Sequence, residues 1–194
     1  MIDDFDAIVL AGGRGSRLGG VTKPAVTVGG RRLLDIALSA VASARRIVVV
    51  GDVDVPTGVL QTIEDPQFGG PVAGVDAGFA ALGEHAPWTL LLASDLPDAE
   101  AAVEALLRAV PAAEHDGVCL RDGDDRLQWL LGCYRTPALA RRLGERGDPP
   151  LTAMFRLLEP LHLLGLTPDT AIVADLDTPE DAVRWARQRG AVEW

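Results

Sequence analysis

The chain has 194 residues, of which 48% are apolar and 24% charged, and its formal net charge is −10. That length suits one domain with a sizeable core. It excludes disordered and collagenous classes, and runs such as Ile47–Val50 and Trp88–Ala93 are far too short for a membrane-spanning helix. The acidic balance argues against nucleic acid or an anionic membrane surface as a partner. The acidic start, Met1–Asp6, does not read as a targeting peptide. The two cysteines, Cys119 and Cys133, make neither a disulfide framework nor a metal-spaced cluster, so a cytoplasmic location is expected.

Asp6–Leu10 reads as a buried strand that runs into a glycine-rich loop. From Ala7 to Leu34 there is no Asp or Glu, yet the stretch holds Arg14, Arg17, Lys23, Arg31 and Arg32, and Lys23 is the chain's only lysine. A cationic glycine loop in an acidic protein suits a small polyanion, because glycines let backbone N–H groups approach phosphate oxygens. The same composition also suits a flexible, solvated connector. The lone lysine favours the binding reading, since a compact ammonium is not interchangeable with a guanidinium.

Leu33–Ser43 has helical spacing, with Arg45 and Arg46 near its expected end, where cations suit the helix dipole. Ile47–Val50 and Leu60–Ile63 read as strands. Pro71 opens an Ala-rich helix to about Leu82. Trp88–Ala93 is a strand followed by Ser94-Asp95-Leu96-Pro97, and Ala99–Val110 is a helix. Val118–Leu120 is a strand, Asp122–Asp125 a turn, and Leu127–Tyr134 a further strand. Helices are expected over Pro137–Arg146, Leu151–Leu158 and Pro179–Arg189, with short strands at Leu161–Leu164 and Ile172–Ala174. Alternating strands and helices predict a single α/β domain over 1–194 with a mainly parallel sheet. Ligands in such sheets sit beyond the carboxyl ends of the strands. The glycine loop, Glu64-Asp65 and Ser94-Asp95 all follow strands.

Two familiar phosphate templates fail. The Walker spacing does not fit, because Lys23 lies between Thr22 and Pro24. The dinucleotide fingerprint lacks its third glycine at Leu18.

Leu10-Ala11-Gly12-Gly13-Arg14-Gly15-Ser16-Arg17-Leu18-Gly19-Gly20-Val21-Thr22-Lys23-Pro24 resembles instead the signature of the NTP-transferase superfamily. Ile63-Glu64-Asp65 with Gly70-Pro71-Val72-Ala73-Gly74 resembles its base-recognition segment, and Leu91–Pro97 its metal-binding strand end. Asp175–Asp181 is similar to a C-terminal motif in which asparagines are usual. Taken in this order, the four segments are most similar to the molybdenum cofactor guanylyltransferases. The resemblance implies a three-layer α/β/α nucleotidyltransferase fold with a mixed central sheet. It also implies transfer of GMP from GTP to the phosphate of molybdopterin, with Mg²⁺ as cofactor and transient contact with molybdoenzymes or other cofactor-synthesis proteins.

On the matching positions, the resemblance places Leu10, Ala11, Gly12 and Gly13 around the nucleotide. It puts Lys23 and Arg17 on the triphosphate as catalytic cations and Asp95 on the metal and the nucleotide. Asp65 and Gly70 would sit at the guanine, and Asp177 with the metal. Each has a plainer alternative: Asp95 as a helix N-cap, Asp65 as a turn residue before Pro66, Arg17 as a solvated arginine, and Asp177 as the residue before the Thr178 cap. Two departures stand out. Gly51 occupies a position where relatives often carry Asn, with a backbone contact or Asp52 as a substitute, and Asp175 and Asp177 stand for asparagines. His85, His115 and His162 show no metal spacing, and Trp129 and Trp185 read as packing residues. A cytidylyltransferase relative usually carries Ala-Ala-Gly at Ala11-Gly12-Gly13. A phospholactate guanylyltransferase leaves the C-terminal motif unexplained, and a nonenzymatic cofactor-delivery module has no need of Asp95.

Overall fold

Side-chain alternation along the first strand decides the layering. In β1 (Phe5–Leu10), Phe5, Ala7 and Val9 enter one core, while Ile8 and Leu10 face another. The computed structural model describes residues 2–12, 26–110, 114–145, 153–168 and 185.

The strands β4 (Ile47–Val50), β5 (Leu60–Thr62), β6 (Trp88–Ala93), β7 (Gly117–Arg121), β8 (Leu127–Arg135) and β9 (Leu163–Leu166) join β1 in a seven-stranded sheet of order β5-β4-β1-β6-β8-β7-β9. The pairs β5–β4, β4–β1, β1–β6 and β7–β9 are parallel, and β8 runs antiparallel to β6 and β7. Two further short strands, β2 (Thr27–Val28) and β3 (Arg31–Arg32), make a separate hairpin through Gly29–Gly30 that the sequence pattern did not predict.

Helices α1 (Leu33–Ala40) and α3 (Ala99–Ala109) cover the face built on Val9, Val49, Leu90 and Leu92. Helices α2 (Pro71–Leu82), α4 (Thr136–Glu145) and α5 (Met154–Leu158) cover the face built on Ile8, Val48, Val50 and Leu91. The expected three-layer α/β/α fold with a mixed, mainly parallel sheet is therefore present. The chain moves outward from β1 to β4 and β5, then returns to the other side of β1 as β6. The switch in strand order thus lies between the ends of β1 and β6, where open α/β sheets hold their ligands. Among the described residues, no helix is long and apolar enough to cross a membrane.

Some boundaries and roles differ from the sequence expectation. Helix α1 stops at Ala40, and Arg45 and Arg46 do not serve its end. Arg45 clamps the buried Asp6, and Arg46 donates to the Leu82 and Glu84 carbonyls at the end of α2. The last described strand begins at Leu163 rather than Leu161, because Leu161 is buried with α5 and the His162 N–H is held by Asp116. His115 and His162 stack at 4.6 Å, although they are far apart in sequence. The expected elements at Ile172–Ala174 and Pro179–Arg189 lie outside the described residues, apart from Trp185. Trp185 packs on the α1/α3 core and donates to Asp98 at 2.8 Å.

Both cysteines are buried and unpaired with each other, and burial pushes each thiol up to about 12. Unfolded thiols ionise near pH 8.5. Between those values the unfolded chain has released protons that the native protein keeps, so stability is lost as pH rises through this window. Urea midpoints should fall from pH 8 to pH 10, and a Cys119→Ala/Cys133→Ala variant should show a flatter decline over the same range.

Candidate active site

Six of the sequence-predicted positions, Leu10, Ala11, Gly12, Asp65, Gly70 and Asp95, lie at the carboxyl edge of the sheet. Ala11 N–H donates to the Val50 carbonyl at 2.9 Å, and Ser94 N–H donates to the Leu10 carbonyl at 3.0 Å. The tips of β1, β4 and β6 are thereby tied in a row, with Leu10, Ala11 and Gly12 on one side and Asp95 on the other. Asp95 is half-buried in the turn after β6. The N-cap position of α3 belongs to Asp98, so capping does not account for Asp95.

Helix α2 approaches this row because Gly74 and Gly78 carry no side chain. A Cβ at Gly78 would lie 2.5 Å from Ile8 Cγ2, and one at Gly74 3.2 Å from Leu10 Cδ2. With Gly74 against Leu10 and Gly78 against Ile8, the N-terminal turn of α2 that follows Gly70 lies at the same end of the sheet as the tip of β1. Gly70 has φ +91° and open space where a Cβ would stand.

The segment from Glu64 to Gly70 is held as a compact loop at the same edge. Glu64 Oε1 accepts from the Phe68 N–H at 3.1 Å, and Gly69 N–H donates to the Pro66 carbonyl at 2.9 Å. Asp65 is exposed in this loop. Glu64, rather than its neighbour, orders the loop and stands against Gly12, 4.0 Å from where a Cβ would be. Sequence reasoning named the Glu64-Asp65 pair but assigned a role only to Asp65; the four-residue spacing from Glu64 to Phe68 was the available signal.

Gly51 answers one of the two departures. Its φ is +145°, and a Cβ there would lie 2.9 Å from the Ala11 carbonyl carbon and oxygen. The position presents bare backbone to the start of the glycine loop and has no room for an asparagine side chain. Asp52 beside it is exposed.

The basic stretch also divides. Arg31 pairs with Glu100 at 3.0 Å and bonds Ser39, joining α1 to α3. Arg32 makes a two-pronged bond to Asp35 at 2.8 and 2.7 Å, which holds that carboxyl below its usual range. Both arginines are structural, which narrows the cations left for a polyanion to Arg14, Arg17 and Lys23. These three, with Gly13 and the C-terminal Asp175 and Asp177, lie outside the described residues.

On the β8 side of Asp95, away from the Leu10–Gly12 backbone at the end of β1, is a cavity of about 280 Å³. Asp95, Leu96, Trp129, Leu130 and Met154 are among its lining residues. Trp129 was expected to be a packing residue; it packs on the α2/α5 core with part of its surface and lines this cavity as well. Among the described residues no three His, Cys, Asp or Glu side chains gather into a metal-binding group. A single carboxylate is nonetheless compatible with Mg²⁺, which usually keeps several waters and binds through one or two carboxylates and substrate phosphates.

The family model of the MobA-like NTP transferase domain matches residues 7–161. A molybdenum cofactor guanylyltransferase of Acidiphilium cryptum is 33% identical over 72% of this chain and 81% of its own length. Another, of Serratia proteamaculans, is 27% identical over 98% of both chains. Among solved structures, molybdopterin-guanine dinucleotide biosynthesis protein A of Archaeoglobus fulgidus superposes with a TM-score of 0.67 at 19% identity, covering 96% of this chain and all of that one. The 2-C-methyl-D-erythritol 4-phosphate cytidylyltransferase of Thermus thermophilus superposes with a TM-score of 0.70 at 17% identity, covering 97% of this chain and all of its own. At these identities the two structures establish the fold alone.

Proposed function

The chain belongs to the MobA-like NTP transferase family, and from that premise we propose that this nucleotidyltransferase moves GMP from GTP to the terminal phosphate of molybdopterin. The observation that carries the proposal is the shared edge: the Leu10–Gly12 backbone, the Glu64–Gly70 loop and Asp95 all border the point where strand order reverses. In the reaction an oxygen of the acceptor phosphate forms a bond to the α-phosphorus of GTP. The bond from that phosphorus to the α,β-bridging oxygen breaks, and pyrophosphate leaves.

Both reactants are anionic, so positioning and charge neutralisation carry most of the catalysis. Lys23 and Arg17 would lie along the triphosphate. The backbone from Leu10 through Gly13 would approach ribose and phosphates, and the α2 N-terminus beside it favours negative charge. Asp65 would accept from guanine N1–H and its exocyclic amino group, and Gly70 would leave room for the base. Asp95 would hold Mg²⁺, with Asp177 as a second ligand; the ion would neutralise charge on the phosphates. Product handover would involve transient contact with a molybdoenzyme or another cofactor-synthesis protein, in the cytoplasm.

The test is pyrophosphate release with each of the four NTPs, with and without molybdopterin. Release only when GTP and molybdopterin are both present supports the proposal. Release with CTP instead would reassign the base. Tight GTP binding with no release in any pairing would make the protein a binding module.

A further inference from the structure

Strand β8 departs from regular pairing where it passes Asp95. Its ladder with β7 runs through Cys119↔Gly132 and resumes at Arg121↔Leu127, so β8 advances five residues while β7 advances two. Bulges of this kind re-aim side chains and cluster beside active sites. The backbone so displaced is held by side chains in place of a ladder. Cys119 Sγ donates to the Gln128 carbonyl at 3.1 Å, and the buried Tyr134 hydroxyl donates to the Trp129 carbonyl at 2.8 Å. Tyr134 can reach back along its own strand because Gly132 has no side chain; a Cβ there would lie 2.6 Å from the Tyr134 hydroxyl oxygen. Gln128 is fixed in turn by its amide, which donates to Asp122 at 2.6 Å. The Asp122 carboxyl is itself kept below its usual range by the Arg126 and Asp124 N–H groups and that amide.

All of this ordering serves a segment that walls the 280 Å³ cavity. Trp129 and Leu130 come from the bulge, Met154 from the start of α5 and Leu96 from the turn after β6, with Asp95 also among the lining residues. Apart from Asp95 and Gln128 the lining residues are apolar, and they include a tryptophan and a methionine, whose indole and thioether suit the face of a flat ring. We propose that this cavity seats the planar heterocycle of the acceptor, with Trp129 as the residue that selects and positions it. The proposal rests on the reading of the protein as a nucleotidyltransferase with molybdopterin as acceptor. Seated there, the acceptor would lie across Asp95 from the Leu10–Gly12 backbone. Tyr134 is a positioning residue that acts through the Trp129 carbonyl.

The experiment uses Trp129→Ala and Trp129→Phe in the full chain. Loss of a stacking wall should raise the KM for molybdopterin about tenfold or more in Trp129→Ala, with the KM for GTP unchanged and phenylalanine restoring most of the affinity. Separately, titrating molybdopterin alone should quench tryptophan emission in the parent. In Trp129→Phe the quench should shrink, although Trp88, Trp185 and Trp194 remain. A parent-like acceptor KM and quench in the variants would overturn the inference while leaving GTP-dependent pyrophosphate release intact. If the parent releases no pyrophosphate with GTP and molybdopterin, the functional reading fails; a Trp129-dependent quench would then still support the subsite, and its absence would remove it.

Discussion

Asp95→Ala should lower pyrophosphate release from GTP and molybdopterin about a thousandfold, while the protein keeps its fold. The magnitude follows from the role proposed for the carboxylate, which is to hold the Mg²⁺ that would neutralise phosphate charge. Neutralising charge on a transferring phosphate is worth several kcal/mol, and each 1.4 kcal/mol is about tenfold in rate. Urea unfolding of the variant measures how much of the change in turnover is accompanied by a change in stability. Asp95→Asn separates charge from shape. It keeps the volume and one oxygen acceptor, so a rate close to the alanine variant would place the loss on the missing negative charge. Steady-state rates across a Mg²⁺ titration, with urea unfolding as the control, read both effects. Parent-like turnover in Asp95→Ala would remove this residue from the mechanism.

Much of this architecture was legible in the sequence because its core strands are continuous β-branched or leucine runs. Ile47–Val50 and Trp88–Ala93 occur with the predicted bounds, since a strand buried on both faces reads as a nearly continuous apolar run bounded by polar or turn residues. Asp95 and the Leu10–Gly12 backbone were legible for a related reason, as each stands where such a run stops. Long-range partners were not. Nothing local marks Arg45 as the partner of Asp6 rather than as the end of α1, or Arg31 as the tie to Glu100. The bulge in β8 was equally hidden. Its apolar run, Leu127–Tyr134, reads as an ordinary strand, and the displaced carbonyls find Cys119 and Tyr134 only once β7 and β8 are paired. Trp129 was therefore read only as a packing residue; it does pack on the α2/α5 core, and its place in β8 brings it to the cavity wall as well.

The largest loss of stability is expected at the opposite edge of the sheet, from Asp6→Ala. Asp6 has 0% exposure and accepts from Arg45 at 3.1 and 3.0 Å and from the Ala86 N–H at 2.6 Å. Arg45 and Arg46 also bond the Leu82 and Glu84 carbonyls, so this carboxylate joins β1, the entry to β4, the end of α2 and the entry to β6. Breaking a fully buried pair costs about 3–5 kcal/mol when it strands a charge. Here the survivor, Arg45, is 39% exposed and can turn to water, while the Ala86 N–H loses its acceptor in the interior. We therefore expect a loss of about 3 kcal/mol, and a Tm lower by roughly 6–12 °C in a chain of this size. Asp6→Asn keeps one acceptor and should lose less. Urea unfolding of the two variants measures this, with an unchanged m-value as the sign that stability alone has moved. The same variants should turn over at close to the parent rate at 25 °C, because nothing in this clamp reaches the Leu10–Gly12 edge. A selective loss of turnover in a fully folded Asp6→Ala would show that the two ends of β1 are mechanically coupled, and that the clamp sets the position of the Leu10–Gly12 backbone as well as the stability of the sheet.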